Sequence, residues 1–83
     1  METRVEILGA PALVQRVQGA LHLALDERRR LYRIEVAEIG RCGDILISIN
    51  GSNGRLPLLF AEGDLEPGPL RNVVQRTVER FGF

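Results

Sequence analysis

Apolar and polar residues alternate along three short stretches of the chain, at residues 3–8, 31–39 and 44–50. In the first stretch Val5 and Ile7 fall on one face, and charged residues fall on the other. A period of two residues is that of a strand with one buried face. These three stretches are therefore predicted to be strands that are each half buried.

A turn signal follows the third strand, because residues 50–54 are rich in Asn and Gly, which tolerate a positive φ. The chain is expected to reverse there and return as a fourth strand over residues 55–61, forming a hairpin. Pro57 lies within this fourth strand and has no N–H to donate to a neighbour. We therefore predict that the fourth strand lies at an edge of the sheet.

Apolar residues recur at helical spacing in two further segments. The first helix is expected to start near Pro11 and to end at residues 26–30, and the second to start near Pro69. Proline suits the first turn of a helix, where no N–H is required. Each element then has one apolar side facing the core, and the predicted core residues include Val17, Leu21, Ile34, Ile47, Val74 and Phe81.

The resulting order βαβββα predicts a single α/β domain over residues 1–83. Polar outward residues on the first two strands indicate that both helices cover the same face of the sheet. The expected architecture is a two-layer sandwich with a four-stranded mixed sheet and two helices on one face. The opposite face is then a candidate interaction surface, with Arg4, Glu6, Arg33, Glu35, Ser48 and Leu59 as its candidate contacts.

Charge and cysteine content narrow the choice of partners. Eleven basic and eleven acidic residues give a formal net charge of zero, so no overall field attracts nucleic acid or an anionic membrane. Neither partner is expected. A single cysteine cannot form an internal disulfide, and the N-terminus lacks the layout of a signal peptide, which favours a cytoplasmic location. No apolar run is long enough to span a bilayer.

The stretch 5–13 has the strand, turn and helix layout that opens thioredoxin-like and glutaredoxin-like domains. The strand and N-G turn over residues 45–51, followed by a strand and a final helix, are similar to the closing elements of that family. Where the family carries C-P-x-C, this chain has residues 10–13, which are Ala-Pro-Ala-Leu. The resemblance therefore implies a redox-inactive member of the thioredoxin-like group.

Few side chains are available for chemistry. All eleven basic residues are arginine, which excludes a lysine base or Schiff base. Cys42 is a candidate reactive thiol beside Arg41, but it has no second cysteine as a resolving partner. His22 is interpreted as a solvated histidine without an acidic partner on its helix. We predict no catalytic residue, no cofactor and no metal site.

The leading hypothesis is a non-catalytic protein-interaction module that binds a protein partner or a second copy of itself. One alternative is an RNA- or ribosome-associated protein, with phosphate contacts from the basic cluster Arg28, Arg29 and Arg30. Few aromatic residues are present to stack on bases, which weighs against it. The other alternative is a redox protein that uses Cys42 alone.

Overall fold

The computed structural model describes residues 4–26, 30–41 and 43–83. The predicted order βαβββα is confirmed, with one additional turn of 3-10 helix before the last helix. The elements are β1 (Arg4–Gly9), α1 (Pro11–Leu25), β2 (Leu31–Ile39), β3 (Asp44–Gly51), β4 (Gly54–Phe60), the 3-10 helix Glu62–Asp64 and α2 (Pro67–Arg80).

The four strands form one mixed sheet in the order β1-β2-β3-β4. β1 and β2 run parallel, with α1 as the connection between them, whereas β3 and β4 follow as an antiparallel meander. A parallel neighbour requires a long crossover, and antiparallel neighbours need only tight turns. β4 lies at an edge of the sheet, as Pro57 predicted, and β1 forms the other edge.

One apolar cluster joins both helices to a single face of the sheet, so the two-layer arrangement is confirmed. Val17 and Leu21 of α1 pack in it with the β-branched residues of β2 and β3 and with the buried side of α2. α2 contributes residues spaced four apart, which places them on one stripe of the helix. Five of the six predicted core residues are fully buried: Val17, Leu21, Ile34, Ile47 and Val74.

The prediction that Phe81 belongs to the core is wrong, because its side chain is 57% exposed. α2 ends one residue earlier, and Phe83 is buried in place of Phe81. Gly82 adopts a φ of 71°, and the Phe83 N–H donates a hydrogen bond of 2.8 Å to the Val78 carbonyl oxygen. This is a Schellman motif, in which a left-handed glycine turns the chain back over the helix end. The turn carries Phe83 onto the core and leaves Phe81 facing solvent.

Proline marks the start of both helices. Pro11 is the first residue of α1, as predicted. α2 begins at Pro67, two residues before the predicted start, and Pro69 lies within its first turn. All three prolines tolerate these positions because the first N–H groups of a helix have no partner within it.

Candidate interaction surface

The sheet face opposite the helices carries all six predicted contact residues. We define this outer face as the even-numbered residues of β1 and β3 and the odd-numbered residues of β2 and β4. Strand register places Glu6 beside Arg33, and Glu35 beside Ser48. Strand alternation therefore assigned these side chains to the correct face.

Ser48 differs from the other five because it is only 1% exposed. It lies between Glu35 and Pro57 on the neighbouring strands, and its Oγ accepts a hydrogen bond of 3.2 Å from Nη2 of Arg55. The long Arg55 side chain thus reaches over this short one. Ser48 therefore holds Arg55 in place and offers no surface of its own to a partner. The prediction that Ser48 is a contact residue is corrected accordingly.

One half of the outer face is apolar. Leu46 of β3 lies between Ala37 of β2 and Leu59 of β4, and Leu8 and Ile39 lie on the same side of the sheet. Four of these five residues are exposed: Ala37 and the three larger residues Leu59 at 63%, Ile39 at 44% and Leu8 at 43%. We call these five residues the apolar half. Contiguous exposed apolar residues on a small protein are typical of a contact surface.

The other half of the outer face is charged and continues into an open groove of about 960 Å³. The groove lies where β1 and β2 begin and where the β3–β4 hairpin turns. We call it the arginine groove, and its lining consists of Arg4, Glu6, Arg30, Leu31, Tyr32, Arg33, Asn50, Gly51, Ser52 and Asn53. Among the described residues of this lining, three guanidinium groups accompany one carboxylate, which gives an excess of two positive charges.

Neighbouring groups engage two of the three arginines in the groove. Nη1 of Arg30 donates a hydrogen bond of 2.7 Å to the Gly82 carbonyl oxygen, and Nε of Arg33 lies 3.7 Å from Oε2 of Glu6. Arg4 forms no ion pair with the part of the chain that the structure describes. Since guanidinium has five donors in a fixed fork, each arginine keeps donors for an external anion.

The exposed edge at β4 is partly protected. Pro57 cannot donate, so its pairing with Ser48 is a pair without ladder hydrogen bonds. By alternation, the main-chain groups of Arg55, Pro57 and Leu59 point away from β3 toward the open edge. Because Pro57 has no N–H, the middle one of these three residues offers no donor at the open edge. An added strand would therefore leave one of its acceptors without a partner, which disfavours simple strand addition.

The sequence analysis assigned Arg30 to a basic cluster with Arg33 nearby, and it assigned Arg4 to the outer face without linking it to that cluster. The fold places all three in one groove. Parallel pairing of β1 and β2 places Arg4 opposite Leu31, the residue that follows Arg30. A parallel arrangement of the first two strands was therefore the feature that could have predicted this grouping. Arg28 and Arg29 of that cluster lie outside the described residues, as does Cys42.

His22 has an acidic neighbour that the sequence analysis missed. Its Nδ1 lies 3.6 Å from Oδ1 of Asp26, one helical turn away, and both side chains are exposed. The spacing of four residues was a sufficient signal for this contact. Among the described residues, no group of three His, Cys, Asp or Glu side chains is arranged to hold a metal ion. Neither α1 nor α2 has the length and apolar character that crossing a membrane requires.

Comparisons of the chain with protein families, with curated proteins and with solved structures find no match. The kinship with thioredoxin-like domains, inferred from residues 5–13 and 45–51, therefore stays a prediction.

Proposed function

We propose that this domain is a non-catalytic protein-interaction module that binds a partner protein through the outer face of its sheet. The apolar half carries this proposal, since Leu59, Ile39 and Leu8 keep 43–63% of their surface exposed on one side of the sheet. Covering such side chains is favourable by about 25 cal/mol per Å² of apolar surface removed from water. The helices supply the domain's own core and leave this face available.

The charges that border the apolar half indicate the chemistry of the partner. Glu35 lies beside Leu8 on the outer face, and Asp44 lies beside Ile39. The positive residues of the outer face lie toward the opposite, charged half. A matching partner therefore presents apolar side chains at its centre and arginine or lysine at its rim, the arrangement found in protein interfaces. A pocket for a small molecule would instead be concave and largely apolar.

We also propose that the β1–α1 turn carries no redox chemistry. Ala10 precedes α1 and Pro11 begins it, so the Ala-Pro-Ala-Leu stretch occupies the turn that carries C-P-x-C in thioredoxin-like domains. None of these four residues is a nucleophile. We propose that the domain keeps the binding role of such a fold without its thiol chemistry.

The test compares two leucines of equal exposure on opposite sides of the molecule. Leu59 of the apolar half is 63% exposed, and Leu23 of α1 is 62% exposed. Wild-type, Leu59→Glu and Leu23→Glu chains are immobilised and exposed to lysate of the source organism, and retained proteins are quantified by mass spectrometry. The protein that distinguishes the variants is then purified and its affinity for each chain is measured.

The proposal predicts a protein that wild type and Leu23→Glu retain equally and that Leu59→Glu loses by at least about tenfold, equivalent to about 1.4 kcal/mol. Equal retention by all three chains contradicts the proposal. Retention of RNA through the charged half would favour the RNA-associated alternative. A covalent adduct at Cys42 that is required for binding would favour the single-cysteine redox alternative.

A further inference from the structure

An exposed acidic segment lies between β4 and α2. Glu62, Asp64 and Glu66 alternate along it, and all three are exposed. Glu62 lies 3.8 Å from Nη1 of Arg16, whereas Asp64 and Glu66 form no ion pair within the described part of the chain. With Arg16 included, this region carries an excess of two negative charges. The arginine groove carries the same excess with the opposite sign.

The acidic segment and the arginine groove lie at opposite ends of the same strand. β4 leaves the hairpin turn in the groove at Gly54 and reaches Phe60 shortly before the acidic segment. A strand of this length spans about 20 Å at about 3.3 Å per residue. The two charged regions of one copy therefore cannot meet each other. A contact between them needs two molecules.

We propose that the arginine groove of one copy binds the acidic segment 62–66 of a second copy, so that the domain associates head to tail. Carboxylates suit this groove because the planar fork of arginine binds a carboxylate through two hydrogen bonds. Arg4 has no ionic partner within the described residues, and it supplies the first such contact. The formal net charge of zero means that two copies do not repel each other as they approach.

The lining of the groove favours an acidic protein segment over nucleic acid. Glu6 interrupts the positive charge, and Leu31 offers an exposed apolar side chain instead of a stacking surface. Tyr32 is the one aromatic residue of the lining, and it is only 3% exposed. Binding of single-stranded nucleic acid relies on accessible aromatic rings and an unbroken basic track.

A contact between two different surfaces is heterologous, so each added copy presents the same free groove and the same free segment. The assembly either closes into a ring or grows as an open chain. Exposed ion pairs are weak and are screened by salt. Association is therefore expected to increase with protein concentration and to fall with ionic strength.

Sedimentation equilibrium of the wild-type chain over a hundredfold range of concentration is the first measurement. The weight-average mass is expected to rise with concentration at about 0.05 M salt and to return to the monomer value at about 0.5 M, where the Debye length is only a few ångströms. A monomer under all conditions overturns the proposal.

The second measurement exchanges the charges of the two surfaces within one chain. The swapped variant combines Arg4→Glu and Arg33→Glu with Glu62→Arg and Asp64→Arg. The four changes cancel, so its formal net charge stays at zero. Glu66 is left unchanged because it precedes the N-terminus of α2, where a negative charge is favourable. The swapped variant is expected to associate as wild type does, since its groove is negative and its segment positive.

A mismatched variant is the control for net charge. It carries Glu62→Arg and Asp64→Arg together with Arg71→Glu and Arg76→Glu on the exposed side of α2. Its net charge is also zero, but its groove and its segment are both positive. Circular dichroism verifies that both variants fold. The dissociation constant of the mismatched variant is expected to rise by at least tenfold. Equal association of the swapped and mismatched variants contradicts the proposal.

The proposed function rests on the apolar half of the outer face, whereas this proposal rests on the arginine groove and the acidic segment, so the two fail independently. Leu59→Glu changes the apolar half and leaves the arginine groove and the acidic segment intact. Its self-association is expected to match that of wild type, while its retention of the partner protein falls. Loss of self-association in Leu59→Glu would instead assign the contact between copies to the apolar half, and would overturn the head-to-tail arrangement.

If the swapped variant does not fold, Arg4→Gln with Arg33→Gln is compared with Arg71→Gln with Arg76→Gln. Both pairs remove two positive charges, but only the first pair lies in the groove. An equal effect of the two pairs on the dissociation constant contradicts the proposal. A tenfold larger effect of the groove pair supports it.

Discussion

The hydroxyl of Tyr32 in β2 donates a hydrogen bond of 2.7 Å to the main-chain oxygen of Phe83. This bond is buried and joins the start of the inner strand β2 to the segment that follows α2. The preceding carbonyl, of Gly82, accepts hydrogen bonds from the side chains of Arg30 and Asn53. Three side chains, from β2, from the residue before it and from the β3–β4 turn, thus hold the turn after α2 against the end of the sheet that carries the arginine groove.

Tyr32→Phe removes the hydroxyl and leaves the Phe83 oxygen without this donor in a buried position. We expect the free energy of unfolding to fall by about 1–3 kcal/mol, the cost of a buried polar group that loses a partner. Urea denaturation measures the change. Thr77→Val is the control, because the bond from its hydroxyl to the Val73 carbonyl oxygen is exposed. Equal effects of the two changes would contradict the importance of burial at Tyr32.

Gly9→Ala tests the close approach of β1 to β2. Gly9 has a φ of 150°, and a Cβ atom there would lie 2.4 Å from the Val36 carbonyl oxygen. Since the obstacle is main chain, relief requires the two strands to separate, and we expect a loss of more than about 2 kcal/mol. Gly19→Ala in α1 is the matched control, with no atom within 4 Å of its added Cβ.

The control is expected to move stability in the opposite direction. Alanine is preferred to glycine inside a helix by about 1 kcal/mol, so Gly19→Ala should raise the midpoint of thermal unfolding. A destabilised Gly19→Ala together with an unchanged Gly9→Ala would show that the strand and helix assignments at these glycines are wrong.

Val74→Asp tests the orientation of α2. Val74 is fully buried, whereas its neighbour Val73 is 42% exposed. A buried carboxylate without a partner costs several kcal/mol, comparable with the whole stability of a domain of this size. Val74→Asp should therefore be unfolded by circular dichroism at room temperature, and Val73→Asp should stay folded. A folded Val74→Asp with a melting temperature close to that of wild type would contradict this orientation.

Cys42→Ser separates the interaction hypothesis from the redox alternative. Without a second thiol, Cys42 has no resolving partner for a dithiol mechanism. We expect the serine variant to fold and to retain the partner protein as wild type does. Loss of partner binding in this variant, with an unchanged thermal unfolding curve, would favour a function that depends on the thiol.

The local pattern of residues determined the secondary structure and its faces. Alternation placed Val5 and Ile7 toward the core and Arg4 and Glu6 away from it, because successive side chains of a strand point to opposite faces. Pro57 was enough to predict an edge strand, since the missing N–H is a property of the residue itself. These features depend on neighbours within a few residues, which a sequence displays directly.

The tertiary structure decided which residues share a site and which are covered. Periodicity extended α2 through Phe81, but the turn at Gly82 places Phe83 on the core instead. Ser48 faces outward as alternation requires, yet it is buried and bonded to the Arg55 side chain.

Arg4 joins Arg30 and Arg33 only because β1 and β2 pair in parallel, with Arg4 opposite Leu31. Register, the reach of long side chains and the turn after a helix depend on contacts between residues distant in sequence. For that reason the charged half and the apolar half of the outer face become visible only in the folded chain.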